Sequence, residues 1–335
     1  MKRFSSMVLL LWCIAGLAGC GHADEARERN VLLELLAGEH YSELDKVLAE
    51  DQARYLNGKL SSNDWAGRFL TLAALDARFD VKFNQWVRAS TSEFARLARG
   101  MHFQHEAWIA RGNAPAADTT DAEFAAMRAL AIQARPDLLA AYEKIPHCAL
   151  CAGELINNNR ALEERATDRE LLEAALRSDP KMYWPVLAYY QGIHPNWDSY
   201  EEIEAFINDM HQRLGDAGLA ENMESRMYRD RARQVLQFKF IDSIDRAIAL
   251  YEKGVNPHSS RQLLRELADI YIRRGNFVRT ADLLETDLKI NTPPSVHSMD
   301  KLAEAYVALG QSRKAKELAA KLAEEKQRYP YLYMD

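Results

Sequence analysis

No stretch of this chain alternates apolar and β-branched residues between hairpin turns, so the signature of a half-buried β-sheet is missing. After the apolar run Met7–Leu17 no second long apolar run follows, and the remainder reads as soluble. Basic residues are not in excess. Against 49 acidic side chains stand 43 Lys and Arg, a formal charge of −6, which argues against nucleic acid as the main partner because phosphate binding needs clustered cations. It also leaves no polybasic patch for anionic lipid. There is no phosphate-binding glycine loop and no Gly-x-Ser-x-Gly. His102 and His105 do not form His-Glu-x-x-His, since Glu106 follows His105 directly. Covalent haem needs a histidine after the second of two close cysteines, and Ala152 stands there.

What is present is helical periodicity. Val31, Leu32, Leu35 and Leu36 form one apolar stripe, and Gly38 breaks it. Tyr41, Leu44, Val47 and Leu48 form the next, and Trp65, Phe69, Leu72 and Leu75 continue at i, i+4, i+7 and i+10. Ser62 or Asn63 is expected to cap that third helix. Further stripes run near 81–88, 93–111 and 121–133, with Thr120 or Asp121 as a cap. Breaks are expected at 112–120, around Pro146, at Asp179-Pro180 and at His194-Pro195-Asn196. Pro185, inside 182–190, should sit in a first helical turn or kink its helix. The expected fold class is all-α, an α-α superhelix of antiparallel helix pairs.

The N-terminus orders Lys2 and Arg3, the apolar run, then Leu17-Ala18-Gly19-Cys20. That order is the pattern of a secretory signal, and a cysteine directly after small residues resembles the lipobox of bacterial lipoproteins. The resemblance implies removal of residues 1–19, acylation of Cys20, and anchorage in a membrane. Gly21 in place of aspartate implies, on enteric-type sorting, the periplasmic face of the outer membrane. The formal charge then becomes −8, because Lys2 and Arg3 leave with the signal. Residues 20–23 form a short tether, so the body should lie close to the lipid surface.

Near the other end Leu267-Ala268-x-x-Tyr271-x-x-x-Gly275 recurs as Leu302-Ala303-x-x-Tyr306-x-x-x-Gly310, every position offset by 35. A second helix is expected after each glycine, over 277–290 and 312–327. The motif resembles the tetratricopeptide repeat, over roughly residues 224–328. Phe94-Ala95-Arg96-Leu97-Ala98-Arg99-Gly100, Ala107 to Gly112, Asp179-Pro180 and Tyr200 to Phe206 together resemble an uncharacterised bacterial domain of tetratricopeptide-like helices, over about 30–215. That resemblance implies a helical fold and no assigned activity. The expected organisation is a signal at 1–19, the tether, a helical domain at 24–222 and repeats at 223–335.

Candidate sites are few. Cys148 and Cys151 are expected to pair in an oxidising compartment, fixing a turn. A redox role for them, or a zinc set formed with His102 and His105, is the alternative, with His147 as a further neighbour. Tyr183, Trp184, Tyr189, Tyr190, Trp197 and Tyr200 cluster as helix-packing residues or as a face for a sugar or peptide. The tail Tyr329–Asp335 packs on the last helix or presents a short segment to a partner. Glu163-Glu164 and Glu201-Glu202 read as solvated faces. No cofactor and no catalytic motif emerge, and the leading expectation is a non-enzymatic, membrane-anchored scaffold that binds a protein partner in the envelope. Cell-wall glycan binding is a third possibility.

Overall fold

The computed structural model describes residues 31–112, 118–193, 200–214, 217–237, 242–290 and 295–328. The fold is all-α, and no strand occurs among the described residues. The chain divides into two compact units, one within Gly19–Glu202 and one from Ile203 onward. The lipobox, Trp197 and the tail Tyr329–Asp335 lie outside the described residues. No described helix is long and apolar enough to cross a membrane.

The first unit begins with α1, residues 31–37, and continues through α2 (Tyr41–Leu56), α3 (Ser62–Ala73), α4 (Asp80–Ala89), α5 (Glu93–Arg111), α6 (Asp121–Lys144), α7 (Ala149–Leu162), α8 (Asp168–Ser178) and α9 (Tyr183–Gly192). Most of the expected stripe residues become its core, with Leu35, Tyr41, Val47 and Leu75 packed at its margin and Val31 exposed. Leu32, Leu36, Leu44, Leu48, Trp65, Phe69 and Leu72 are all buried, and Trp65 packs between Tyr55 and Phe69 with ring centroids 5.2 and 5.0 Å away. The cap of α3 is Ser61 rather than Ser62 or Asn63. Its backbone is extended, and its hydroxyl accepts from the Asp64 amide at 3.1 Å.

Thr120 caps α6 in a capping box, its hydroxyl accepting from Glu123 N–H while the Glu123 carboxylate accepts from Thr120 N–H. This helix runs past the expected 133 and carries Pro136 inside it. Proline removes one ladder bond, to the carbonyl four residues earlier. Here that residue is the exposed Ile132, so water can take the freed carbonyl. Arg99 of α5 holds Asp137 of α6 through two bonds of 2.7 and 2.9 Å, which secures the helix across the proline.

The second unit holds most of α10 (Tyr200–Arg213), then α11 (Ala217–Gln237), α12 (Ser243–Lys253), α13 (Arg261–Arg273), α14 (Phe277–Ile290), α15 (Val296–Ala308) and α16 (Ser312–Arg328). Successive helices pair, α11 with α12, α13 with α14 and α15 with α16, and each pair packs on the next. The 35-residue repeat is visible atom by atom. Ser260 and Ser295 cap α13 and α15. Gly275 and Gly310 end them at φ of 70° and 72°, left-handed values that favour glycine. In both, the residue after glycine returns its N–H to the tyrosine carbonyl: Asn276 to Tyr271 and Gln311 to Tyr306.

A polar joint repeats as well. Glu252 accepts from Tyr271 OH at 2.8 Å and from Arg279 Nε at 3.0 Å. One pair later Glu285 accepts from Tyr306 OH at 2.6 Å and faces Lys314 at 3.7 Å. Each joint ties the second helix of one pair to both helices of the next.

Candidate functional site

The centre of the first unit is α7. Every residue from Ala149 through Asn159 is buried, with α5, α6, α8 and α9 packed around the helix. A helix enclosed on all sides should be apolar throughout. This one carries Glu154, Asn157, Asn158, Asn159 and then the partly exposed Arg160. Buried polar groups persist only when paired, and the bonds of these side chains fall into two groups, one around Asn158 and Asn159 and one around Asn157 and Arg160. Asn158 donates to Gln104 at 2.7 Å and to the Ala131 carbonyl at 2.8 Å. Arg135 donates to Asn158 and Asn159 at 3.0 and 2.9 Å. Asn159 donates to Asp168 at 2.9 Å. Asn157 accepts from the Trp108 indole at 3.1 Å and from Arg160 at 2.9 Å, and Arg160 reaches Gln191 at 2.6 Å.

Burial dominates the electrostatics. The Glu154 carboxyl is pushed up to about 8 by loss of solvent, although Asn157, Trp184 and Arg160 each favour its charged form. Arg160 is brought down to about 10, first by burial. Glu154 opposes that change, while Arg111 and Arg165 add to it. Asp168 is raised by burial against the pull of Asn159 and Arg165. The arrangement therefore supplies a held proton on Glu154 and a positively charged edge at Arg160. Sequence spacing did not single out these residues. The available signal was three consecutive asparagines inside a helix, a position where asparagine is a poor former.

Cys148 and Cys151 are joined in a disulfide at the start of α7. Cys148 occupies the N-cap, and its sulfur accepts from Cys151 N–H at 3.1 Å. Both are buried, and His147 before them takes a left-handed φ of 54°. The bond spans a separation of only 3 residues. Reduction, with the chain otherwise unchanged, should lower stability by about 2 kcal/mol, the loop-closure contribution for so short a loop. Urea denaturation with and without reductant measures it, and a loss several times larger would mean that the bond does more than hold this turn.

The zinc set is not assembled. Among the described residues no group of three or more His, Cys, Asp or Glu is placed to hold a metal. The cysteines are bonded to each other. His102 is fully buried and engages Asp80 Oδ1 at 2.8 Å through Nε2 and the Ala73 carbonyl at 3.3 Å through Nδ1, with Phe83 stacked at 4.4 Å. Neither ring nitrogen is left for a ligand. His105 is pulled down to about 4 by burial first and by His102 second.

The aromatics of α9 pack more than they display. Tyr183 and Tyr190 are buried, and Trp184 packs against the main core. Tyr189 lies under Arg169 at 5.9 Å, and Tyr200 is partly exposed. Exposed coplanar rings, which glycan binding would need, are not formed by Tyr183 and Tyr190. Glu164 is exposed as expected, beside Arg135 at 3.2 Å.

A comparison with curated proteins finds no match. Residues 28–208 match the family model described as a domain of unknown function, DUF4034, an interval that takes in the whole α7 network and agrees with the uncharacterised domain expected over about 30–215. More than half of the chain lies within it, and the chain belongs to the DUF4034 family.

Proposed function

We propose that this chain is a lipid-anchored envelope protein whose stacked C-terminal helix pairs bind a protein partner. The observation that carries the reading is the 35-residue repeat, now matched in its caps, its left-handed glycines and its Glu–Tyr–cation joints. Such pairs resemble tetratricopeptide repeats, and stacked repeats present an extended face suited to peptide or helix capture. The Leu17–Cys20 lipobox supports acylation at Cys20 and residence at the periplasmic face of the outer membrane. Two or more acyl chains give stable anchorage where one does not. The short tether then keeps the helical body near the lipid, within reach of membrane-associated partners.

Fractionation and mild crosslinking in the native membrane, followed by mass spectrometry, test both halves. Wild-type chain is expected in the membrane fraction with a thioacylated Cys20 and one dominant crosslinked protein. Cys20→Ala should abolish acylation and leave the membrane fraction. An unmodified Cys20 defeats the anchor reading, and an acylated chain with no recurrent partner defeats the scaffold reading.

A further inference from the structure

α6 is apolar on two sides. One side, with Met127, Ala131, Ala134, Leu138 and Ala141, is buried in the first unit. The other carries Ala125, Arg128, Ile132, Pro136, Leu139 and Glu143, all exposed. At 3.6 residues per turn these six positions fall within an arc of about 80°. The solvent side of a surface helix is ordinarily polar. Here Ile132 is 62% exposed and Leu139 39%, with Pro136 between them.

Two opposite charges flank this apolar face. Arg128 precedes Ile132 by four residues, and Glu143 follows Leu139 by four. Among the described residues neither has an ion-pair partner, whereas the nearby Lys144 and Arg135 turn to Glu93 and Glu164. Arg128 and Glu143 do not reach each other within one chain. Their separation of 15 residues along α6 is about 22 Å of helix. An antiparallel second α6 brings them together. With the two-fold axis beside Pro136, Arg128 stands opposite Glu143 of the second copy and Ile132 opposite its Leu139. Because the two spacings are equal, one register matches both kinds of pair, and the symmetry makes each pair twice.

We propose that the outer face of α6 is a self-association surface, on which a second copy of this chain docks with its α6 antiparallel. The apolar residues supply the contact, and the Arg128–Glu143 pairs fix its direction and register. The paired stretch covers a few hundred Å² on each copy, well short of the roughly 800 Å² per partner of a standard interface. The association is therefore weak and reversible. The carbonyl of Ile132, freed by Pro136, keeps its water at the edge of so narrow a contact. The surface belongs to the first unit and does not rest on partner capture by the C-terminal pairs.

Sedimentation equilibrium of the full chain, taken up to roughly 0.5 mM to populate a contact of this size, tests the proposal. A monomer–dimer equilibrium is expected. Ile132→Asp, at an exposed position, should abolish it without unfolding the chain, which circular dichroism checks. Arg128→Glu and Glu143→Arg should each weaken dimerisation by roughly tenfold, since each reversal sets like charges together twice. The double variant Arg128→Glu/Glu143→Arg should restore it, because the pairs re-form with their signs exchanged. A parent chain that stays monomeric throughout, including one whose α6 face crosslinks only to a different protein, overturns the proposal. So does a dimer indifferent to Ile132→Asp, or a double variant no better than the single ones.

Discussion

Glu154→Gln should make the protein more stable in mild alkali and leave it little changed in acid. The wild-type carboxyl has a folded pKa of about 8 against an ordinary value of 4.5, with burial as the leading cause. Between those values the unfolded chain has released the proton and the folded chain still holds it. Linkage then makes stability fall as pH rises. The contribution is fully present below pH 4.5, declines above it, and is gone once pH has passed through 8. Glutamine keeps the shape and the hydrogen-bonding amide but has no proton to lose. At pH 9 the variant should exceed the wild type by on the order of 2–4 kcal/mol. By the usual scaling that is several degrees in Tm.

Other groups set the window in which to look. His105, drawn down to about 4, acts with the opposite sign. Its neutral folded form makes stability rise with pH between about 4 and 6.5, and above that range its effect is constant. Asp168, raised by burial, shares the sign of Glu154 and leaves a shallower slope in the variant. Urea denaturation between pH 6.5 and 9 therefore isolates Glu154. Parallel curves for wild type and variant across that interval would show that the carboxyl is not held protonated, and the account of the α7 network would fail with it.

Why this network escaped a reading of the sequence is itself physical. Periodicity identifies helices that bury one face and expose the other. It found α2, α3 and α5, the cap at Thr120, and Pro185 in the first turn of α9. It also found the 35-residue repeat, since local caps and turns encode it. A helix buried on all sides has no such contrast. In α7 the apolar residues Leu150, Ala152, Leu155, Ile156 and Ala161 and the polar Glu154 and Asn157 to Asn159 lie on every face. Only the partners on α5, α6, α8 and α9 show that the polar set is satisfied inside. The apolar stripe near 121–133 likewise stops short of the end of α6, which continues through the exposed Pro136 beside the Arg99–Asp137 bond. His102 shows the converse. Its spacing from His105 suggested a ligand pair, but contacts from Ala73 and Asp80, distant in sequence, make it a core histidine.

Gly153→Ala should destabilise the first unit by about 1–3 kcal/mol, in the range of an overpacked core, although the exchange of glycine for alanine in a helix interior ordinarily stabilises by close to 1 kcal/mol. The sign reverses because of what stands opposite. A Cβ on Gly153 would lie 2.7 Å from Trp184 Cδ1 and 3.0 Å from both the backbone nitrogen and the Cα of Pro185. A tryptophan ring can turn aside in a looser setting, but the proline backbone at the first turn of α9 cannot, so the whole helix must shift. α9 also carries Gln191, the acceptor for Arg160, and a displaced α9 pulls that bond apart. Gly100 offers the control. Its nearest neighbours are the Cδ2 and Cγ of Leu138, at 2.8 and 3.0 Å, a flexible side chain that can change rotamer, so Gly100→Ala should cost less than Gly153→Ala. Thermal and urea unfolding of the two variants side by side decide the matter. Equal losses, or a gain for Gly153→Ala, would mean that α7 and α9 do not approach as closely as this geometry requires, and that the positioning of Arg160 by Gln191 must have another source.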